Sequence, residues 1–354
     1  MKKTLNKTKI ADFATYIGVV IAFIVMNALM NEGLLTRSMK GQLVPICCYI
    51  VMAVSLNLTV GILGELSLGH AGFMSVGAFT GVVTAMSLQS AIPSDGVRLA
   101  LAIVMGAIFA GIAGTLVGIP VLRLHGDYLA IVTLAFGEII KELINCLIIG
   151  HDENGLHIIF NATGAKTVTD LGLTETGKVL IKGAQGATGT DTIASFTAGF
   201  ILIMVTLVVV LNLARSRSGR AIMALRDNRI AAESVGINVT KYKLMAFVTS
   251  AALAGGAGAL YGLNFSNLVS SKFDFNTSIL ILVFVVLGGL GNMWGSIIAA
   301  AVLTVLPEAL RGFADYRMLI YAIVLIVVML ATNSPQMKAL LSKLVPFGKK
   351  GEKE

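Results

Sequence analysis

Charged residues are scarce in this sequence. Asp, Glu, Lys and Arg make up 13% of its 354 residues, and 56% of the residues are hydrophobic. A soluble domain carries about 25% charged residues, so a soluble domain is excluded. The apolar runs recur at lengths near the ~20 residues that a helix needs to cross a bilayer. Short alternating segments, which are typical of a membrane β-barrel, are missing. The composition therefore predicts an all-α polytopic membrane protein.

Motifs for catalysis, metals and nucleic acids are also missing. The three cysteines, Cys47, Cys48 and Cys146, lie in apolar runs and form neither a disulfide framework nor a metal-ligand pattern. No G-x-x-x-x-G-K-[ST] phosphate-binding loop and no Ser/His/Asp constellation occurs. The net charge of +8 is not arranged as a basic stripe with interleaved aromatics. We expect no enzyme activity, no cofactor, no metal and no nucleic-acid partner, and we expect lipids around the chain.

Ten apolar segments are candidate membrane spans. They define one membrane domain, residues 10–335, between a basic N-terminus (residues 1–9) and a basic tail (residues 336–354). The candidate spans are residues 10–30, 43–62, 71–88, 99–122, 128–149, 193–213, 244–263, 277–290, 295–310 and 317–332.

The distribution of Lys and Arg predicts the orientation of these spans. If the N-terminus is cytoplasmic, ten spans place both the basic segment Arg215–Lys243 and the tail on the cytoplasmic side, where Lys and Arg are retained. Nine spans would put one basic cluster on the wrong side. Residues 150–192 then form the only long external loop, which has no strong periodicity. It is either a docking surface for an external partner or a solvated, partly mobile loop.

The long loop divides the spans five and five. Because five is odd, the second set would run opposite to the first, as in the inverted-topology repeats of transporters. Each half contains a glycine-interrupted segment, Gly61–Gly72 in the first and Gly288–Gly295 in the second. Interruptions at corresponding places predict a translocation path, although the two halves share little residue-level similarity.

The interrupted segments hold most of the candidate path residues. Polar groups at membrane depth are expensive and need partners. The first segment is either a gate of the path or a cytoplasmic turn in which Ser67 caps the next helix. The candidate path or gate residues are Glu65, Ser67, Gly69, His70, Glu138 and Gly291.

Glu138 belongs to a charged group in the fifth span. Glu142 follows it by four residues and Lys141 lies beside them, so the three share one face or adjoining faces of a helix. A mutually neutralised cluster that faces the bundle or a watery vestibule is the favoured interpretation. A proton or ion relay is the alternative, but it needs a second ionisable group deep in a facing span, and few are available.

The segment Arg215–Lys243 contains a predicted amphipathic helix, Arg220–Val235. Its apolar residues recur at helical spacing, and Gly236 ends it. Such a helix lies against lipid headgroups, the loops of its own chain or another protein. Lipid is disfavoured because the apolar side chains are small and Trp and Phe are missing. The apolar residues of the helix are Ile222, Leu225, Ala232 and Val235.

Four stretches resemble one family of transport proteins. GELSLGHAGFMSVGAF, DYLAIVTLAFGEI, SGRAIMALRDNRIAAESVGINVTKYKLMAF and GGLGNMWGSIIAA begin at Gly64, Asp127, Ser218 and Gly288. In combination they resemble the LivM-type inner-membrane permeases of branched-chain amino acid ABC importers. Glu65 departs from the Gln that the family often has. The external loop also lacks a clear copy of the family's Gly-rich tail after span five, which affects the expected contact with a binding protein.

The resemblance implies partners that the residues alone do not. It implies a second permease subunit, two cytoplasmic ABC ATPase subunits and an extracytoplasmic protein that delivers leucine, isoleucine or valine. It places the chain in the bacterial plasma (inner) membrane with both termini cytoplasmic. It also implies that Arg220–Val235 is a coupling helix seated in a groove of the ATPase. The implied ATPase-coupling residues are Gly219, Arg220, Leu225, Arg226, Ala231, Ala232, Glu233 and Gly236.

Other functions remain open at this point. Related permeases carry urea or short amides, and nothing in the chain excludes those substrates. An ion-coupled secondary transporter would move its substrate without an ATPase. A membrane scaffold or receptor has only the amphipathic helix to support it.

Overall fold

The computed structural model describes residues 2–33, 36–124, 126–152, 155–161, 168–173 and 177–310, with residues 316, 319–320, 322–323 and 326. The chain divides into two compact units, residues 1–301 and 302–354. The features described below belong to the first unit, except that the last helix continues past residue 301. Most of the predicted span 317–332 and all of the tail 336–354 lie outside the described residues.

The described residues form eleven α-helices. They are α1 (Lys2–Asn31), α2 (Arg37–Asn57), α3 (His70–Ser87), α4 (Asp95–Val121), α5 (Asp127–Asn145), α6 (Phe196–Arg215), α7 (Arg217–Asp227), α8 (Arg229–Ser234), α9 (Val239–Gly262), α10 (Phe275–Gly288) and α11 (Met293–Ala309). Nine of them overlap the first nine predicted spans, and α7 and α8 are short helices of the basic segment.

Length and apolarity single out five of these helices as able to cross a membrane. The five stretches are Phe13–Asn31, Arg37–Leu63, Asp95–Val121, Phe196–Arg215 and Val239–Gly262, and α10 and α11 are apolar but shorter. The chain is therefore mostly helical, as predicted. The count of ten spans and the five-plus-five repeat stay predictions.

Helix α9 forms the centre of the bundle. Its small residues let the backbones of α3 and α4 approach closely, which is how helices pack in lipid. A Cβ at Gly77 would lie 2.0 Å from the carbonyl oxygen of Gly255, and one at Gly258 would lie 2.0 Å from that of Met74. Glycine is therefore required at these contacts. Each of these glycines begins a Gly-x-x-x-Gly pair (Gly77 with Gly81, Gly258 with Gly262), and both pairs are packing surfaces.

A small antiparallel sheet corrects the all-α prediction. Its strands are β1 (Leu147–Asp152), β2 (Gly155–Phe160), β3 (Lys178–Lys182), β4 (Ala187–Thr188) and β5 (Asn267–Leu268), in the order β2-β1-β3-β4-β5. The predicted loop 150–192 therefore contains regular structure, and the predicted span 128–149 gives way to β1. Strand β5 comes from the turn after α9 and pairs Leu268 with Ala187. Because β4 pairs with a strand that is far away in the sequence, the residues of the loop show no strand periodicity by themselves.

The connections between helices gather at two opposite ends of the bundle. At one end, here called the basic end, the turn Gly64–Gly69 meets the segment Arg215–Lys243 and the turn Gly289–Asn292. At the other end, here called the sheet end, the five strands meet the turn before α4, where Asp191 accepts a hydrogen bond from Gln89. Alternate connections thus lie at the same end, as a chain that repeatedly crosses a membrane requires.

Candidate functional site

The basic segment contains two helices where the sequence predicted one. Ser216, Asn228 and Asn238 each accept a hydrogen bond at an N-cap, from Gly219, Ala231 and Lys241 respectively. Asn228 is extended, with φ −156° and ψ 107°, so the helix ends at Asp227 and restarts at Arg229. The single helix Arg220–Val235 is therefore corrected to α7 and α8. Asn is a preferred N-cap residue, so Asn228 was the signal for the break.

Most of the predicted apolar stripe faces the protein itself. Ile222, Leu225 and Ala232 are buried, and Leu225 and Ala232 share a small core with Val239 of α9. The expectation that these side chains fill a partner's groove is corrected, because they hold α7 and α8 against their own chain. Gly219 is also buried, and a Cβ there would lie 2.2 Å from the carbonyl oxygen of Leu213.

The outer surface of α8 is apolar at its tip. Ile230 and Val235 are 80% and 75% exposed, and Ala231 lies on the surface with them. Glu233 is held by Arg229 at 3.2 Å. Gly236 follows in the left-handed conformation with φ +85°, which glycine adopts without strain. Two exposed branched side chains thus lie beside an ion pair at the surface. Ile230 lies off the predicted stripe, so the apolar periodicity did not indicate it.

Arg226 joins the basic segment to α2 from a partly exposed position, where it also pairs with Asp227 at 3.2 Å. Its guanidinium donates a hydrogen bond to the carbonyl oxygen of Gly61 at 2.9 Å, and its aliphatic part covers Gly64. Gly61 belongs to a π-helical turn, Leu58–Leu63, that continues α2. Such turns are rare and occur frequently at functional sites. Arg220, by contrast, is exposed and donates to the carbonyl oxygen of Arg215.

Asn57 joins the two glycine-interrupted segments. Its side-chain oxygen accepts from the backbone N–H of Gly291 at 2.8 Å, and its amide nitrogen donates to Ser296 Oγ at 2.9 Å. Gly61 lies against the same turn, since a Cβ there would come within 2.2 Å of the Gly291 nitrogen. Asn57 is fully buried. A polar residue inside an apolar run was the signal that could have found it.

Glu65 forms a buried ion pair with Lys243. The side chain of Lys243 is only 4% exposed and that of Glu65 is 16% exposed. This pair links the first interruption to the start of α9, at the end of the basic segment. A buried charge is strongly destabilising when its partner is removed, so each of these two groups needs the other. Lys243 was predicted only as the boundary of the segment.

The start of α3 is fixed by backbone and hydroxyl contacts. Thr133 Oγ1 accepts from the N–H of Leu68, and Ser278 Oγ accepts from the N–H of Ala71. His70 is buried and its Nε2 lies 2.8 Å from Ser55 Oγ. These contacts bring α2, α5 and α10 together around the first interruption.

Ser67 does not cap α3, which corrects that detail of the turn interpretation; the segment Gly64–Gly69 is itself a turn between α2 and α3. The N-cap is Gly69, and it makes no side-chain cap bond. Ser67 Oγ is buried and has no hydrogen-bond partner within the described part of the chain. Gly69 packs on α5, because a Cβ there would lie 2.1 Å from the carbonyl oxygen of Thr133.

Glu138 lies apart from the other candidate path residues. Its carboxylate accepts from the backbone N–H of Phe275, at the start of α10, and pairs with Lys141. Lys141 Nζ also lies 4.0 Å from Glu142. The predicted cluster is thus present on α5, nearer the sheet end than the basic end, with two carboxylates around one ammonium group.

Asp274 precedes α10 beside this cluster. Burial raises its pKa, but the hydrogen bonds from Thr277 and Asn276 and the nearby charge of Lys141 outweigh burial and hold the pKa below its usual value. Asp274 is therefore ionised at neutral pH and caps α10, accepting from the N–H of Thr277 at 3.0 Å.

The sheet end holds an open cavity of about 570 Å³ with a basic lining. Lys178, Lys182 and Gln185 contribute to its wall. Beside the cavity, Asp191 accepts hydrogen bonds from Gln89 and Arg98. These bonds hold the segment that leads into α6 against the start of α4.

An apolar helical bundle in which two interrupted helices meet at buried polar groups is typical of membrane transport proteins. The fold and the site thus define a multi-pass membrane protein of the transport class. Comparison with known families narrows this class, because residues 38–330 match the family described as "Branched-chain amino acid transport system / permease component". The chain belongs to this family.

Individual relatives agree with the family assignment. The chain is 34% identical over 292 residues to the high-affinity branched-chain amino acid transport system permease protein LivM of Escherichia coli, a match that covers 80% of this chain and 66% of that protein. It is 22% identical over 289 residues to the corresponding LivH protein of Salmonella typhimurium, covering 80% and 88%. It is 25% identical over 277 residues to a probable LivM permease of Methanocaldococcus jannaschii, covering 70% and 74%. The match thus spans slightly less than two thirds of the E. coli protein.

Proposed function

We propose that this chain is a permease subunit of an ATP-driven importer for leucine, isoleucine and valine. Its partners are a second permease subunit, two cytoplasmic ABC ATPase subunits and an extracytoplasmic binding protein. The chain lies in the bacterial plasma (inner) membrane, with the basic end and both termini in the cytoplasm. The family assignment and the Lys and Arg of the basic end support this orientation.

One observation carries the coupling part of the proposal. The exposed tip Ile230–Val235 belongs to a segment that also contacts the interrupted helices, through Arg226 and Gly61. A partner that binds the tip and moves it therefore also moves the π-helical turn of α2. Gly61 in turn contacts Gly291 of the second interruption. The path residues and the partner surface are joined by direct contacts, as rigid coupling requires.

The mechanism follows from these contacts. Closure of the ATPase dimer moves α7 and α8 as one unit, because Leu225, Ala232 and Val239 hold them together. Arg226 transmits this motion to Gly61, and Lys243 transmits it to Glu65. The two interruptions then shift relative to the rest of the bundle and switch access between the two sides. Each conformation of the permease is favoured by the nucleotide state of the ATPase that binds that conformation more tightly.

The exposure of their side chains divides the proposed coupling residues into an outer and an inner group. Ala231, Glu233 and Gly236, with Ile230 and Val235, face the ATPase. Leu225, Ala232 and Gly219 shape the segment from inside, and Arg226 connects it to the membrane domain. Glu65, Gly69, His70 and Gly291 form the gate region at the two interruptions.

The sheet end is the proposed dock for the binding protein. The strands hold an ordered surface in place of a mobile loop, and Lys178 and Lys182 line an open cavity in it. Carboxylates on a binding protein would complement these cations.

Uptake of labelled leucine tests the proposed substrate. A strain that lacks its own branched-chain permeases would express this chain with its neighbouring ATPase, permease and binding-protein genes. We expect excess valine and isoleucine to compete with leucine, and urea and acetamide to have no effect. If urea or acetamide competes with leucine and neither valine nor isoleucine does, the proposed substrate would be an amide instead of a branched-chain amino acid.

A further inference from the structure

One side of helix α6 is uncovered along the whole helix. The exposed positions follow one another at helical spacing, so they lie on a single face of the helix. We call this row of side chains the α6 face. Helix α6 is one of the described helices that are long and apolar enough to cross a membrane, so this face lies at membrane depth. Its residues are Thr197, Ile201, Val205, Val208, Val209, Asn212 and Arg215.

The α6 face changes from apolar to cationic toward the basic end. Ile201 and Val205 are 56% and 48% exposed, and an exposed amide, Asn212, and an exposed cation, Arg215, complete the row. The helix rises about 16 Å from Ile201 to Asn212, which is close to the half of a bilayer core, about 15 Å. Arg215 lies about 5 Å further along the axis. The row thus has the length and the polarity of one phospholipid leaflet.

A second arginine lies at the same end of α6. Arg220 of α7 is exposed, and its Nη1 donates a hydrogen bond to the carbonyl oxygen of Arg215 at 3.2 Å. This bond holds the guanidinium of Arg220 against the last residue of α6. Two arginines therefore gather at the point where the apolar row ends. Arg220 was expected to contact an ATPase, but it lies away from the exposed tip of α8.

The acidic residues of the basic end pair with other cations. Between Ile193 and Arg226 the sequence contains neither Asp nor Glu. Within the described residues, no ion pair joins Arg220 to a carboxylate, so its charge is available to an anion from outside the chain. The ion pairs of the acidic residues are Asp227–Arg226, Glu233–Arg229 and Glu65–Lys243.

The exposed side of α4 is the natural comparison. Ile108 and Ile112 are 49% and 51% exposed there, and the sequence between Leu99 and Val121 contains no charged residue. One arginine, Arg123, follows this helix before α5 begins. The exposed side of α4 therefore offers hydrocarbon contact with a single cation at its end, where the α6 face has two.

We propose that the α6 face binds an anionic phospholipid, with an acyl chain along Ile201–Val209 and the phosphate group at Arg215 and Arg220. Guanidinium groups bind phosphate oxygens through paired, charge-assisted hydrogen bonds. The apolar contact comes from α6 and only a cation comes from α7, whose own apolar side chains face the protein. A lipid bound here holds the joint between α6 and α7 at the membrane surface. The site depends neither on the transported substrate nor on an ATPase.

Photocross-linking in bilayers of defined composition tests the site. Benzoylphenylalanine replaces Val208 on α6 or Ile112 on α4, which are 44% and 51% exposed, so the core packing is kept at both positions. The full-length chain, with the subunits that co-purify with it, is reconstituted in phosphatidylethanolamine vesicles that contain a small, known share of phosphatidylglycerol. After irradiation, mass spectrometry gives the share of phosphatidylglycerol among the lipids attached to each position.

We expect phosphatidylglycerol to exceed its share of the bilayer at position 208 and to match that share at position 112. One arginine near an anionic lipid changes the affinity about fivefold. Arg220→Ala should therefore lower the enrichment at position 208 about fivefold, and Arg215→Ala with Arg220→Ala should remove it. Arg123→Ala is the matched control and should leave the enrichment unchanged.

Three results would overturn the proposal. They are equal phosphatidylglycerol shares at positions 208 and 112, an enrichment that survives in the double variant, and products of position 208 with protein alone. Lipid products from position 112 in the double variant show that the chain still folds in the membrane, which separates loss of the site from loss of the fold.

Discussion

Arg226 donates a hydrogen bond to the carbonyl oxygen of Gly61, which lies 165 positions earlier in the sequence, over a distance of 2.9 Å. This bond joins the short helix α7 to the π-helical turn that ends α2. It is a direct contact between the segment that carries the exposed tip of α8 and the interrupted helices. The basic segment is therefore attached to the helical bundle by its inner side, while its outer side is exposed.

Replacing Arg226 should uncouple ATP hydrolysis from transport. A hydrogen bond from a charged donor contributes about 1.5–3 kcal/mol, so Arg226→Ala should lower leucine uptake about tenfold or more. The ATPase should still co-purify, because Ile230 and Val235 are unchanged. Arg217→Ala removes an exposed cation from the same helix and should leave uptake near the wild-type rate. Equal uptake by the Arg226 and Arg217 variants would remove Arg226 from the pathway.

Gly61→Ala should disrupt the meeting of the two interruptions. The new Cβ would lie 1.9 Å from Asn57 Oδ1 and 2.2 Å from the Gly291 nitrogen, so the backbone must move. Overpacking of this kind costs about 1–3 kcal/mol, and we expect a lower melting temperature of the solubilised complex with little uptake. Gly41→Ala is the matched control in α2, where a Cβ meets no atom within 4 Å. A Gly61 variant that behaves like the Gly41 variant would contradict the contact.

Removing both charges of the Glu65–Lys243 pair should destabilise the protein less than removing Lys243 alone. Lys243→Met leaves the Glu65 carboxylate without its partner in a largely buried place, which costs about 3–5 kcal/mol for a buried pair. The double variant Glu65→Gln with Lys243→Met removes both charges and should recover much of the lost thermal stability. Stability is measured by fluorescence-detected melting in detergent. Additive losses in the double variant would show that the two groups do not interact.

Gly236→Pro should abolish uptake while leaving insertion into the membrane intact. Gly236 has φ +85°, which proline cannot adopt, and its N–H donates to the carbonyl oxygen of Glu233. Gly33→Pro is a close control, because Gly33 also has positive φ and also donates its N–H to a helix end, that of α1 at Met30. Fractionation checks insertion and leucine uptake checks function. Loss of uptake in both variants would indicate a general folding defect.

The sequence predicted the helices better than the contacts between them. Apolar length located α2, α3, α4, α6 and α9, because crossing a bilayer imposes a clear run of hydrophobic residues. The candidate gate residues Glu65 and Gly291 were also singled out, as a polar and a glycine interruption. Their partners Lys243 and Asn57 were not, since pairing across 178 and 234 positions has no local signature.

Two of the corrections, the break at Asn228 and the sheet, have different physical causes. The break at Asn228 was visible in principle, because an N-cap residue stood in the middle of the predicted helix. The sheet was not, since β4 and β5 are two residues each and pair only after α6 and α9 bring them together. Exposure of Ile230 likewise depends on how α8 packs, which periodicity alone does not decide.

The central claim is that the tip of the basic segment couples this chain to an ATPase. ATP-dependent leucine uptake by proteoliposomes, with this chain, its second permease, both ATPases and the binding protein, tests it most directly. Glu233→Lys reverses the charge at the exposed tip, away from the interrupted helices. We predict ATP-dependent uptake by the wild type and none by this variant, with equal amounts of both chains in the membrane. Wild-type uptake by the variant, or uptake without any ATPase, would contradict the account.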